Sequence, residues 1–280
     1  MLKLHHLILL IALSADGGTA PPLPSPVDPD AGTAAADSAR AQERDGGACE
    51  PRPAIREGTP WPEKPQLLAT LDGRAIIAAR SAIRNLMDLF AKSDPRYAGH
   101  CNYSPKAMDV VIFEAEGMYV VRINPRLDRC GRLDPGFNDV IDPELYAVSP
   151  EGKILIDYPY KHEVPLVLPK PLIVDGIRWP EETRFLTMLD GRAIVAAHAS
   201  VQDLLGHLAL KGKRFSERCD ATPKAMDVLI FEGEGMYIVR IDPRVDRCEG
   251  SDPSFNAGLG SALYAVSPDG KVLTRVPNTP

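Results

Sequence analysis

The pattern of apolar and polar positions predicts the same order of elements twice along the chain. In the first pass, LLATLDGRAIIAA places Asp72-Gly73 between two apolar stretches, a short-range hairpin signature. Leu68, Leu71, Ala75, Ala79 and Leu86 also fall at helical spacing, so the same stretch supports a helix. SAIRNLMDLFAK, and SVQDLLGHLAL in the second pass, predict a helix capped by Ser81 or Ser200. VVIFE is continuously apolar and suits a central strand buried on both faces, and Glu116-Gly117 turns it into a second strand, MYVVRI. ELYAVSPEGKILI predicts a further hairpin around Pro150-Glu151-Gly152.

The repetition is close. AMDVVIFEAEGMYVVRINPR begins at Ala107 and AMDVLIFEGEGMYIVRIDPR at Ala225, 118 positions later. The same step carries Asp72 to Asp190, Trp61 to Trp179, Cys101 to Cys219, Cys130 to Cys248 and Tyr146 to Tyr264 without a gap. This is a tandem duplication of one domain, with too few copies for a solenoid. The expected fold class is α+β, each copy laying one helix across a four- or five-stranded antiparallel sheet and holding one disulfide. Such a layout resembles the cystatins in outline, a likeness of shape that implies nothing about function.

Composition adds boundaries. Residues 1–15, MLKLHHLILLIALSA, combine Lys3 with a short apolar run ending in small residues, the pattern of a signal peptide. Asp16 stands where a lipoprotein signal would need cysteine, so export without lipidation is expected, with no integral membrane span left after cleavage. Residues 16–52 are rich in Ala, Pro, Gly and Asp, cannot bury enough apolar surface to offset ordering, and are expected to form a disordered tether. Repeat domain 1 then covers 53–157, a Pro-rich linker 158–170 and repeat domain 2 171–280. The net charge of -6 offers no basic stripe, which argues against nucleic acid as a partner.

Four of the five cysteines follow the repeat. In an exported chain they are expected to pair as Cys101 with Cys130 and Cys219 with Cys248, each loop closure contributing about 3–4 kcal/mol in the chain-entropy model. No C-x-x-C is present and no histidine accompanies both pairs, so neither a metal nor a cofactor is expected. Cys49 remains over and is a candidate for joining two chains.

Candidate chemistry is sparse. No histidine occupies equivalent positions in both copies, since His100 aligns with Arg218, His198 with Arg80 and His207 with Leu89. Glu114 and Glu116, mirrored by Glu232 and Glu234, would stand about 7 Å apart on one strand face, a spacing open to glycosidase roles. A solvated hairpin edge is the preferred reading, since no aromatic sugar platform is evident. The stretches NPRLDRC and DPRVDRC supply the candidate ligand-binding residues Arg126, Asp128, Arg129, Arg244, Asp246 and Arg247, because arginines beside aspartate can clamp a carboxylate or phosphate. Asp128, Asp134 and Asn138 could instead approach calcium, but the favoured reading is a disulfide-anchored loop whose turns and ion pairs are local. No catalytic residue is assigned.

The copies agree in their strands and differ in RNLMDLFAKSDPRYAGHCNYS against QDLLGHLALKGKRFSERCDAT. One scaffold with two surfaces is the pattern of a binding module. The expectation is therefore a periplasmic or secreted, non-catalytic tandem-domain protein that binds another protein at two places, enzyme inhibition or toxin neutralisation being forms of it. A self-associating structural envelope protein is the alternative, and a glycosidase-type hydrolase stands third.

Overall fold

In the computed structural model, which describes residues 61–97, 99–131, 142–158, 173–174, 177–178, 180, 183–213, 217–248 and 260–277, the two copies repeat element for element. In the first copy β1 (Gln66–Asp72) runs straight into α1 (Gly73–Ser93), followed by β2 (Met108–Ala115), β3 (Met118–Pro125), β4 (Glu144–Val148) and β5 (Ile154–Tyr158). A short pair, β6 (Ile173–Val174) and β7 (Ile177–Arg178), precedes the second copy. That copy consists of β8 (Arg184–Asp190), α2 (Gly191–Leu210), β9 (Met226–Gly233), β10 (Met236–Pro243), β11 (Ala262–Val266) and β12 (Val272–Pro277). The predicted signal segment, the predicted tether with Cys49, and the predicted linker apart from Tyr158 lie outside the described residues.

Both large sheets are antiparallel and five-stranded, and neither is built from one copy alone. Their orders are β1-β9-β10-β11-β12 and β5-β4-β3-β2-β8. The first strand of each copy thus completes the sheet of the other, with Asp72 opposite Asp227 and Asp190 opposite Asp109. Each helix stays with its own copy: α1 packs on β3 and β4, α2 on β10 and β11, and the two helices pack against each other. The copies are consecutive in sequence and share one core.

The junction between first strand and helix explains the exchange. Asp72 is both the last residue of β1 and the N-cap of α1, its Oδ1 accepting from the Ala75 amide at 2.7 Å. Asp190 caps α2 in the same way through the Arg192 amide, also at 2.7 Å. Asp-Gly is therefore a strand-to-helix junction and not a hairpin, because the aspartate oxygen satisfies an amide that a turn would leave to water. Ser81 and Ser200 lie within the helices instead of capping them, and the Ser200 hydroxyl donates to the Ala196 carbonyl at 3.1 Å. With no loop between strand and helix, the strand leaves in the direction the helix N-terminus faces. That end abuts the other copy: a Cβ on Gly73 would stand 2.8 Å from the Pro223 carbonyl oxygen, and one on Gly191 2.5 Å from that of Pro105. Only glycine permits these backbone approaches.

The remaining elements match the hydrophobic pattern. Val110, Val111 and Ile112 of β2 are buried, Gly117 turns the chain into β3 with φ +70°, and Gly152 closes the β4–β5 hairpin. The main core joins alanines of both helices to inward residues of both sheets, while Val120, Leu145, Ala147 and Ile156 form a small second cluster on the other side of β3–β5. Among the described residues only α2 is long and apolar enough to cross a membrane, and its apolar side lies in this core.

At the helix crossing Arg80 stands near its own repeat equivalent, His198. Burial, and then the charges of Arg80 and Arg84, push His198 down to about 4 from 6.5. The folded state thus keeps a neutral imidazole over a pH range in which the unfolded chain protonates it. Stability from this site should be complete above pH 6.5 and fall as pH drops toward 4, by up to about 3 kcal/mol. Urea midpoints at pH 7 and pH 4.5 should diverge more in the parent than in His198→Gln; equal differences would refute the assignment.

Candidate functional site: two ion-pair clasps and a groove

The predicted arginines come together with aspartates beneath the disulfide loops. Arg126 donates from Nη1 to Asp109 Oδ2 at 2.7 Å, and Arg129 from Nη2 to Asp109 Oδ1 at 2.5 Å. Arg126 also grips Asp128 bidentately, with Nε and Nη2 each 2.9 Å from a carboxylate oxygen. Arg129 reaches the Met108 carbonyl at 3.2 Å and lies 3.3 Å from Asp190, the α2 cap that belongs to the other copy. The second copy repeats the arrangement: Arg244 and Arg247 both hold Asp227, and Arg244 grips Asp246 at 2.8 Å through two nitrogens.

This placement follows from the local fold. Asp109 and Asp227 sit near the start of β2 and β9, and the 3-10 turns after β3 and β10 bring the arginines back over them. Each cluster stands beside its bridge, Cys101–Cys130 with Cα atoms 5.5 Å apart and Cys219–Cys248 with 5.7 Å, so the disulfide ties the arginine loop to the 3-10 turn that precedes the strand. Hydrogen bonds to Asp128, then to Asp109, raise the Arg126 pKa, and the Arg126 guanidinium in turn lowers that of Asp128. The guanidinium forks are thus turned inward onto carboxylates of the chain, which makes each cluster a clasp between loop and strand, extended in the first copy to the α2 cap Asp190. Of the calcium triad, Asp128 is in the clasp, while Asp134 and Asn138 lie outside the described residues. Among the described residues no group of three His, Cys, Asp or Glu side chains could hold a metal ion.

The glutamate pairs are less alike than their sequence suggests. Glu114 accepts from Arg184 of β8, with Nε at 3.0 Å. Its counterpart Glu232 faces Gln66 across the exchanged strand. Glu116 and Glu234 lie exposed at the turns. Asp72, in turn, accepts a hydrogen bond from the buried Tyr119 hydroxyl at 2.9 Å, and burial followed by Asp72 raises that phenol's pKa.

Two places missed from the sequence lie at the β4–β5 pair of the first copy and between α2 and β12 of the second. In the first copy, burial, then Asp157 and Asp142, push Glu144 of β4 up to about 7. In the second, an open groove of about 800 Å3 runs between the last half of α2 and β12, lined by Asp203, Gly206, His207, Leu210, Thr274 and Arg275 among others. Arg275 Nη1 lies 3.2 Å from Asp203, and its Nη2 3.3 Å from His207 Nδ1. Burial and then the Arg275 charge lower the His207 pKa. Arginine can only donate, so His207 Nδ1 accepts and the ring's other nitrogen carries the proton. The signal was present as a difference between copies: Asp203, Gly206, His207 and Leu210 share one helix face and replace Asn85, Asp88, Leu89 and Lys92. No protein-family model, curated protein or solved structure matched the chain.

Proposed function

We propose that this chain is an exported, non-catalytic binding protein of the periplasm or the extracellular space, with a protein as its partner. The observation that carries the reading is the divergence of equivalent surfaces on an unchanged frame. Where the first copy sets Asp142, Glu144 and Asp157, the second has Gly260, Ala262 and Arg275, on strands that keep the same pairing. Loops and edges that vary over a rigid scaffold are the usual carriers of recognition. Two intrachain disulfides fit an oxidising compartment and brace the loops of both copies. The two surfaces stand on one shared core, so recognition at two places belongs to the whole chain and not to separable beads.

The test is affinity capture from envelope and culture-supernatant extracts with the oxidised chain from residue 53 onward as bait. A partner should be retained by the oxidised bait and lost after reduction of its disulfides. A bait that recovers only further copies of itself overturns the reading in favour of self-association.

A further inference from the structure

Within the binding reading, the groove beside α2 carries the most specific chemistry. β12 is the outermost strand of its sheet and has no partner on its outer side among the described residues. Such an edge presents a row of backbone donors and acceptors to an incoming strand. A Cβ built on Gly206 meets nothing within 4 Å, so the floor beside the edge is open, and Leu210 next to it is 88% exposed.

The charges select the ligand. At the equivalent place the first copy holds Asp142, Glu144 and Asp157; the second has lost all three and gained Arg275, with Asp203 in place of Asn85 as a partner of that arginine. Arg275 keeps N–H donors beyond those turned to Asp203 and His207, and the protonated nitrogen of His207 adds another. We propose that the groove between α2 and β12 binds an extended peptide segment, which joins β12 as an added strand and sets a carboxylate side chain against Arg275 and His207. Alternate side chains of an added strand point to one face, so an acidic residue at every second position fits both the groove and the edge.

The experiment is a titration of the 15N-labelled, disulfide-bonded chain with the blocked peptide acetyl-Val-Glu-Val-Glu-Val-amide and with its glutamine counterpart. Amide shifts should concentrate in residues 203–210 and 272–276, and the glutamate peptide should bind about tenfold more tightly. Arg275→Gln should erase that preference. Gly206→Leu, which replaces a helix-interior glycine with a better helix former in open space, should block both peptides while leaving thermal stability intact. Equal binding of the two peptides, or shifts centred elsewhere, overturns the proposal. Free glutarate producing the same shifts at the same concentration also overturns it, in favour of a small carboxylate without an added strand. A partner captured equally well by the parent and by Gly206→Leu removes the groove and leaves the binding reading standing.

Discussion

A protease site engineered into residues 159–172, once cut, should leave the two fragments bound to each other. Both disulfides lie within single copies, so nothing covalent would join the fragments. What holds them is the exchange. β1 pairs with β9 and β8 with β2, each along most of its length, and α1 packs on α2 through alanine-lined faces buried in a common core. An interface that continues a hydrophobic core resembles that of an obligate dimer. Size-exclusion chromatography with light scattering should therefore show one species at the mass of the two fragments together, separating only in denaturant. Two species at half mass in buffer would show that each copy closes its own sheet.

Removing the clasp aspartates should have the second-largest effect. Asp109 is only 7% exposed and receives two guanidiniums, so Asp109→Ala leaves Arg126 with Asp128 and Arg129 with Asp190 and the Met108 carbonyl, and cuts both from the strand. Breaking a buried pair from one side costs about 3–5 kcal/mol; with Arg126 half exposed, about 2–4 kcal/mol is expected here. In a domain of this size that lowers Tm by about 10 °C. Asp227→Ala in the second copy should behave alike, since Arg244 and Arg247 repeat the geometry. Asp128→Ala removes an exposed partner of the same Arg126 and should lower Tm far less than Asp109→Ala does. Thermal melts of the three variants at neutral pH provide the measurement. An Asp109→Ala variant as stable as its parent would mean that the clasp does not hold the loop, and would return Arg126 and Arg129 to the role of ligand groups.

The clasp shows how far sequence reasoning reaches into the site. Arg126, Asp128 and Arg129 stand out because both copies carry them, and their juxtaposition with a carboxylate is real. The carboxylate that matters most, Asp109, lies on a strand seventeen residues earlier than Arg126 and looks from the sequence like a polar interruption in an apolar run. The groove was harder to see. Its residues are spread over a helix face and a strand 72 positions away, as the Arg275–Asp203 contact shows, and no local pattern links them.

The Asp-Gly pairs mark the same boundary. Sequence by itself determined the duplication, the strand–turn–strand order, the helix faces and the two cysteine pairs. These depend on local periodicity and on cysteine spacings that both copies share. It could not choose between a hairpin and a helix cap at Asp72-Gly73, because both use the same two residues. Only the tertiary structure decided that β1 and β8 change places, and the reason is energetic equivalence. With near-identical sequences, β2 and β9 present almost the same edge, so a first strand finds equal pairing in either sheet. The helix junction, pressed through Gly73 and Gly191 against the opposite copy, then sets which edge lies within reach.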